Sequence, residues 1–285
     1  MCGRFAFYSP AEAVSRLFAA ETIADLPPRY NIAPTQPAPT VRLDQDSVRR
    51  LNLLRWGLVP FWAKDPSIGN RMINARAETV ASKPAFRQAF RKRRCLILAD
   101  GFYEWQKADS GKIPWFISAP SGEPFAMAGL WESWQADGDE PLETCTILTT
   151  EAGSSLARIH HRMQVVLGSE GVQQWLDPNM DEGQLPLLAD EARRVPLEAI
   201  RVSRQVNNPE NEGPDLLRAA ENPRQAAALL TAAIDRYEAT DFRLHLPDLY
   251  LGRARARLAA GEASGIPLNH LAVLYFQDRT RGEDL

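Results

Sequence analysis

The chain has 285 residues, 45% hydrophobic and 24% charged, an ordinary balance for a soluble globular protein with a well-buried core. No run approaches 18 apolar residues and the start lacks a basic segment followed by an apolar one, so neither a membrane span nor a secretory leader is expected. The net charge of −3 argues against a nucleic-acid partner, but its distribution does not.

The chain opens MCGRF. Removal of Met1 would leave Cys2 with an α-amine and a thiol on adjacent carbons, two groups that titrate near pH 8. Such a pair captures aldehydes, as an imine that the sulfur closes into a thiazolidine. PAEAVSRLFAA reads as a helix with Ser9 as its N-cap, and KPAFRQAFRKR as another after Ser82. The runs VRRLNLLRWGLVPFW, CLILADGFYEW, IPWFISAP, PFAMAGLWESW and TCTILTT read as strands. Strands outnumber helices without regular alternation, which predicts an α+β fold on a mostly antiparallel sheet core with flanking helices.

Between Arg71 and Arg94 lie eight basic residues against the single Glu78, a local excess that suits a phosphate backbone or a solvated helix face. In INARAE, an extended strand would present Asn74, Arg76 and Glu78 on one face. Glu104 in DGFYEW stands between Tyr103 and Trp105, where desolvation would raise its pKa toward proton-transfer range. IHHRM sets His160 and His161 side by side; on a strand they would point opposite ways, so at most one would face a site. Without further ligands nearby they do not make a metal site. Cys95 and Cys145 sit in apolar runs and read as inert core residues, consistent with a reducing cytoplasm.

After NNPENEGP the composition changes: the last lysine is Lys112, and alanine, leucine and arginine dominate. Asn222-Pro223-Arg224-Gln225 reads as a capping box, with further helices over 247–260 and 267–276. Two units are therefore expected, 1–214 and a helical C-terminal extension over 215–285.

MCGRF, YNIAPTQ, WGLVPFWAKD, INARAETV, KPAFR, ADGFYEW, GLWESW, CTILTT, IHHRM and VNNPENEGP, in that order, resemble the SOS-response-associated peptidase (SRAP) family over residues 2 to about 214. Members of that family shield abasic sites in single-stranded DNA through a covalent crosslink. The resemblance implies a SRAP-like fold, with Cys2 as the crosslinking nucleophile and Asn74 orienting the reacting centre. It implies Glu104 as the acid–base carboxylate and His160 as the group that helps open the deoxyribose. Arg76 and Arg162 would hold phosphates on either side of the lesion, with Arg4 and Lys83 as weaker candidates. Phe61, Trp62 and Trp105 would stack on bases, which suits a lesion found in any sequence.

The chain departs from the family in having Leu98 and Gln164 where proline is common, which puts loop geometry beside the site in question. No cofactor is required, because the substrate carries its own electrophile. The expected partners are single-stranded DNA with abasic sites, no membrane, and a replication-associated protein met through the helical tail. The imine alone would hydrolyse or drain into strand cleavage by β-elimination, a lyase outcome that ring closure prevents. Two other readings stand beside this one: a thiol peptidase with Cys2 as nucleophile and His160 as base, acting on peptides or on its own Met1, and a non-catalytic single-strand binder.

Overall fold

The computed structural model describes residues 3–22, 26–109, 111–136 and 140–219. Strand β1 (Arg4–Phe7) and helix α1 (Ala11–Phe18) lead into β2 (Glu21–Thr22), β3 (Arg29–Ile32), β4 (Pro37–Leu43) and β5 (Arg49–Trp56). A 3-10 turn at Pro66–Arg71 then precedes β6 (Asn74–Arg76) and α2 (Arg87–Lys92). Five long strands follow: β7 (Arg94–Ala99), β8 (Gly101–Ala108), β9 (Gly111–Ser118), β10 (Phe125–Trp134) and β11 (Leu142–Glu151). The order ends with α3 (Ser154–Ala157), β12 (Arg162–Gln164), β13 (Val166–Leu167), α4 (Ser169–Leu176), α5 (Leu185–Ala192) and β14 (Glu198–Arg201). Among the described residues no helix is long and apolar enough to cross a membrane.

One sheet runs β14-β9-β8-β1-β3 and is antiparallel throughout. In the other, β11, β10, β7, β4 and β5 pair in turn, and β5 pairs back onto β11 in parallel. Those five strands close a small barrel, which leaves them without an open edge. The mostly antiparallel core expected from the sequence is present.

Alternation along β1 shows how the layers meet. Phe5 and Phe7 enter the main core with Trp56, Ile97 and Phe102, while Ala6 turns to a second cluster with Tyr103, Phe116, Val206 and Leu217. That second cluster is roofed by the segment after β14, where 3-10 turns at Arg204–Asn207 and Pro214–Leu217 lie over the five-stranded sheet. The buried Asn31 amide fastens it by donating to the carbonyls of Asn208 and Asn211, both at 2.9 Å. Arg29 and the Tyr30 amide both bond to the Glu212 carboxylate at 2.8 Å. This is the work of NNPENEGP: it is a clasp on β3, the edge strand beside β1.

Several local expectations fail for long-range reasons. Ser9 does not cap α1; its amide and hydroxyl both donate to Asp100, at 2.9 and 2.5 Å, and Pro10 stands at the cap position. Asp100 also breaks CLILADGFYEW into two strands. The second helix is shorter than expected, since residues 79–86 form turns and Ser82 bonds back to the Thr79 carbonyl. INARAE is strand only as far as Arg76, so Glu78 lies in the following turn and does not continue the face of Asn74 and Arg76. The two histidines occupy a turn, not a strand, and their rings stack on each other at 4.4 Å. Leu98 and Gln164 both lie inside strands and are fully buried, so the missing prolines alter strands β7 and β12 and not loops. The helices expected over 222–276 lie outside the described residues.

Candidate functional site

Strand β11 organises one side of the site. On one flank β6 pairs with it in parallel, setting Asn74 opposite Ile147 and Arg76 opposite Thr149. On the other flank β12 pairs antiparallel, setting Arg162 opposite Glu151. Arg162 is 9% exposed, and its guanidinium forms a two-pronged bond to Glu78, at 2.7 and 2.9 Å, with a further bond to the Thr149 carbonyl at 2.7 Å. This pairing holds the Glu78 carboxyl below its usual range, chiefly through the Arg162 hydrogen bond. Glu78 thus joins the turn after β6 to the start of β12, a partner across 84 positions that no local pattern announces.

His160 precedes β12 and is fixed from both sides. Its amide donates to the Leu156 carbonyl at 3.1 Å. Its Nδ1 lies 3.0 Å from the Arg162 amide and 3.1 Å from the Arg162 carbonyl. A neutral ring accepts from the amide there, and a charged ring donates to the carbonyl, so both protonation states find a partner. Burial lowers the pKa of His160, which favours the neutral form.

Glu104 approaches from the other sheet. It lies on β8 in phase with the buried Phe102, pairs across the strand with Trp115, and is 3% exposed. Burial is the main cause that pushes its pKa up to about 7, where a carboxyl both gives and takes protons at neutral pH. The neighbouring strand is β1, in the register Ala6–Gly101, Phe5–Phe102 and Arg4–Tyr103. Carried one step beyond its last pair, that register would set Gly3 alongside Glu104. Cys2 lies outside the described residues, one peptide bond from Gly3.

The remaining cations and aromatics separate into two groups. Arg76 and Lys83 are exposed, and so are Phe61 and Trp62, at 52% and 49%. The loop carrying the two aromatics is pinched at its base, where Gly57 (φ 130°) passes so close to Gly69 that a Cβ would lie 2.6 Å from the Gly69 carbonyl oxygen. The Trp134 indole donates to Ala63 at 2.7 Å and steadies the far side. Arg4, by contrast, lies on the outer face of its sheet. It donates to the Asn31 side chain at 2.7 Å and to the Val206 and Asn207 carbonyls at 2.9 and 3.3 Å. Trp105 donates its indole N–H to Asn207 at 2.8 Å and has the Arg4 guanidinium 6.0 Å above its ring.

The basic run from 71 to 94 divides likewise. Arg93 pairs with the buried Glu132 at 2.7 Å, and Arg94 binds the Trp175, Phe90 and Asp177 carbonyls. Arg91 bonds to Glu182 at 2.6 Å. Arg71, Arg76, Lys83, Arg87 and Lys92 are left on the surface.

Comparison with known proteins agrees with this architecture. The sequence model of "SOS response associated peptidase (SRAP)" matches residues 1–209. The abasic site processing protein YoqW of Bacillus subtilis is 43% identical over 222 residues, covering 76% of this chain and 99% of that protein. The abasic site processing protein YedK of Escherichia coli is 32% identical, covering 76% of this chain and 99% of its own length. A crystal structure from Bacteroides thetaiotaomicron superposes with a TM-score of 0.68 over 77% of this chain and all of that one, at 24% identity, a likeness of fold. A family-model match over residues 1–209 and 43% identity to a relative covered over 99% of its length make the chain a member of the SRAP family.

Proposed function

We propose that this protein processes abasic sites in single-stranded DNA by forming a covalent thiazolidine crosslink through Cys2 once Met1 has been removed. The observation that carries the reading is the pairing of β1 with β8, which runs the beginning of the chain alongside a buried carboxyl of raised pKa. The names of the relatives supply the lesion. The open form of an abasic site carries an aldehyde at C1′. The Cys2 amine adds to that carbon, and Glu104 takes a proton from the nitrogen and returns one to the departing hydroxyl. One water leaves as the imine forms. The Cys2 sulfur then adds to the same carbon, and its proton ends on the ring nitrogen. In this reading Asn74 orients the aldehyde, and His160 assists opening of the sugar ring.

The structural partners sort the proposed DNA contacts. Arg76 and Lys83 are surface cations suited to phosphates, and Phe61 and Trp62 are a surface aromatic pair suited to stacking on bases. Arg162 is better placed to brace β12 through Glu78, and Arg4 and Trp105 to hold the clasp over β1. Arg76→Ala should therefore weaken DNA binding alike in all sequences and flatten the salt dependence by about one unit of slope. Arg162→Ala should leave that slope nearly unchanged and lower thermal stability, because it strips Glu78 of its partner. Fluorescence anisotropy across a salt series, with melting curves, separates the two; equal slope changes for both variants would return Arg162 to the phosphate-binding set.

The function itself is tested with a single-stranded oligonucleotide carrying one abasic site, followed by denaturing electrophoresis. A slower band that survives heating in detergent is expected with the parent. It should be absent with intact DNA and with Cys2→Ala. A stable band with Cys2→Ala would end the reading.

A further inference from the structure

We infer that Gln106 is a positioning residue that fixes the His160 turn against the strand carrying Glu104; the inference rests on the reading of the site given above. Gln106 stands two residues after Glu104 on β8, and so shares its side of the strand. Both ends of its amide are used. Nε2 donates to the Arg158 carbonyl at 2.9 Å, and Oε1 accepts the Trp115 indole N–H at 3.2 Å. Trp115 is also the cross-strand partner of Glu104, and the Arg158 guanidinium lies 5.7 Å above its ring.

Arg158 is the C-cap of α3, and His160 follows two positions later. The turn between them is short and tight: the Ile159 and His160 amides both return to the Leu156 carbonyl, at 2.8 and 3.1 Å. A carbonyl held at Arg158 therefore leaves the His160 ring little freedom to move. A further constraint on His160 comes from Arg162 on β12, which belongs to the other sheet. Among the described residues, the Gln106 bond is a direct side-chain tie between Glu104's own strand and the histidine turn.

The chemistry of the amide matters to this role. A carboxylate at position 106 would keep the acceptor for Trp115 but set a negative oxygen against the Arg158 carbonyl, and leucine would keep the bulk while losing both bonds. Neither change removes a group that touches DNA or the reacting atoms, so the effect should fall on rate and not on affinity. A displacement of the histidine by about 1 Å is enough to cost ten- to a hundredfold in rate.

The test uses the full chain with Gln106→Leu, Gln106→Glu and Trp115→Phe, the last removing the indole donor while keeping an aromatic ring. Crosslinking at saturating abasic oligonucleotide should slow by about ten- to a hundredfold in both Gln106 variants and less in Trp115→Phe, with DNA affinity within about twofold of the parent. The NMR titration of His160 should move toward an ordinary histidine in Gln106→Leu. Parent-like rates together with a parent-like His160 titration in Gln106→Leu would overturn the inference. If the parent forms no covalent adduct, the crosslinking reading fails, and the His160 titration still decides whether Gln106 is the strut: a shift upholds it and no shift overturns it.

Discussion

Glu104→Gln should make the protein more stable at neutral pH while nearly abolishing its chemistry. Burial raises the Glu104 pKa from 4.5 to about 7 in the folded state, so folding favours the protonated carboxyl. A raised folded-state pKa contributes stability that is fully present below the unfolded value near 4.5 and is lost as pH climbs through 7. Glutamine has the same shape and never ionises. Its advantage should be close to zero at pH 4, grow between pH 4.5 and 7, and level off at about 3 kcal/mol above that. Asp100, raised by burial to about 6, titrates in both proteins and cancels from the difference. The crosslinking rate should fall by about 10² to 10⁴-fold, the usual worth of a positioned acid–base group. Melting temperatures at pH 4, 6 and 8, with single-turnover rates, check both halves. A variant that melts with the parent at pH 8, or that crosslinks at the parent's rate, would remove Glu104 from its role.

A residue inserted between Met1 and Cys2 should abolish stable crosslinking. The proposed attack begins from the α-amine, and an added alanine buries that nitrogen in a peptide bond while leaving the thiol intact. Binding to abasic DNA should persist, because the proposed phosphate and stacking groups lie on other elements. A thiol peptidase would tolerate the insertion, since its nucleophile is sulfur and its base is elsewhere. Denaturing gels of the extended variant read this directly, and a heat-stable adduct would exclude the amine as nucleophile.

The strands built from continuous apolar runs were legible in the sequence, because β7, β10 and β11 are buried on both faces and carry their signal locally. β1, β3 and β4 were not picked out: the first two are four residues long, and β4 contains Pro37 and Pro39. The errors around the site share one cause, a partner far away in sequence. Ser9 reads as a cap until Asp100 is seen to claim it, 91 residues on. The bonds of Arg162 to Glu78, and of Arg4 to Asn31 and the 206–207 carbonyls, are likewise made to partners far away in sequence that no local pattern announces. The stacking of His160 on His161 follows from the α3 turn, and period-two reasoning has no access to it. Glu104 was legible as a buried carboxyl, but not for the expected reason: Tyr103 and Trp105 turn to the opposite face of β8, and Phe102 and the cross-strand Trp115 share its side.

The central claim is that amine and thiol of one residue are both consumed, and thiol counting tests it most directly. The chain has three cysteines, at positions 2, 95 and 145. When the purified adduct is denatured, treated with iodoacetamide and weighed intact, a thiazolidine leaves only Cys95 and Cys145 to alkylate, so two carbamidomethyl groups are expected. Unreacted protein in the same sample should carry three. An adduct that also carries three would have a free Cys2 sulfur, and the thiazolidine would be excluded.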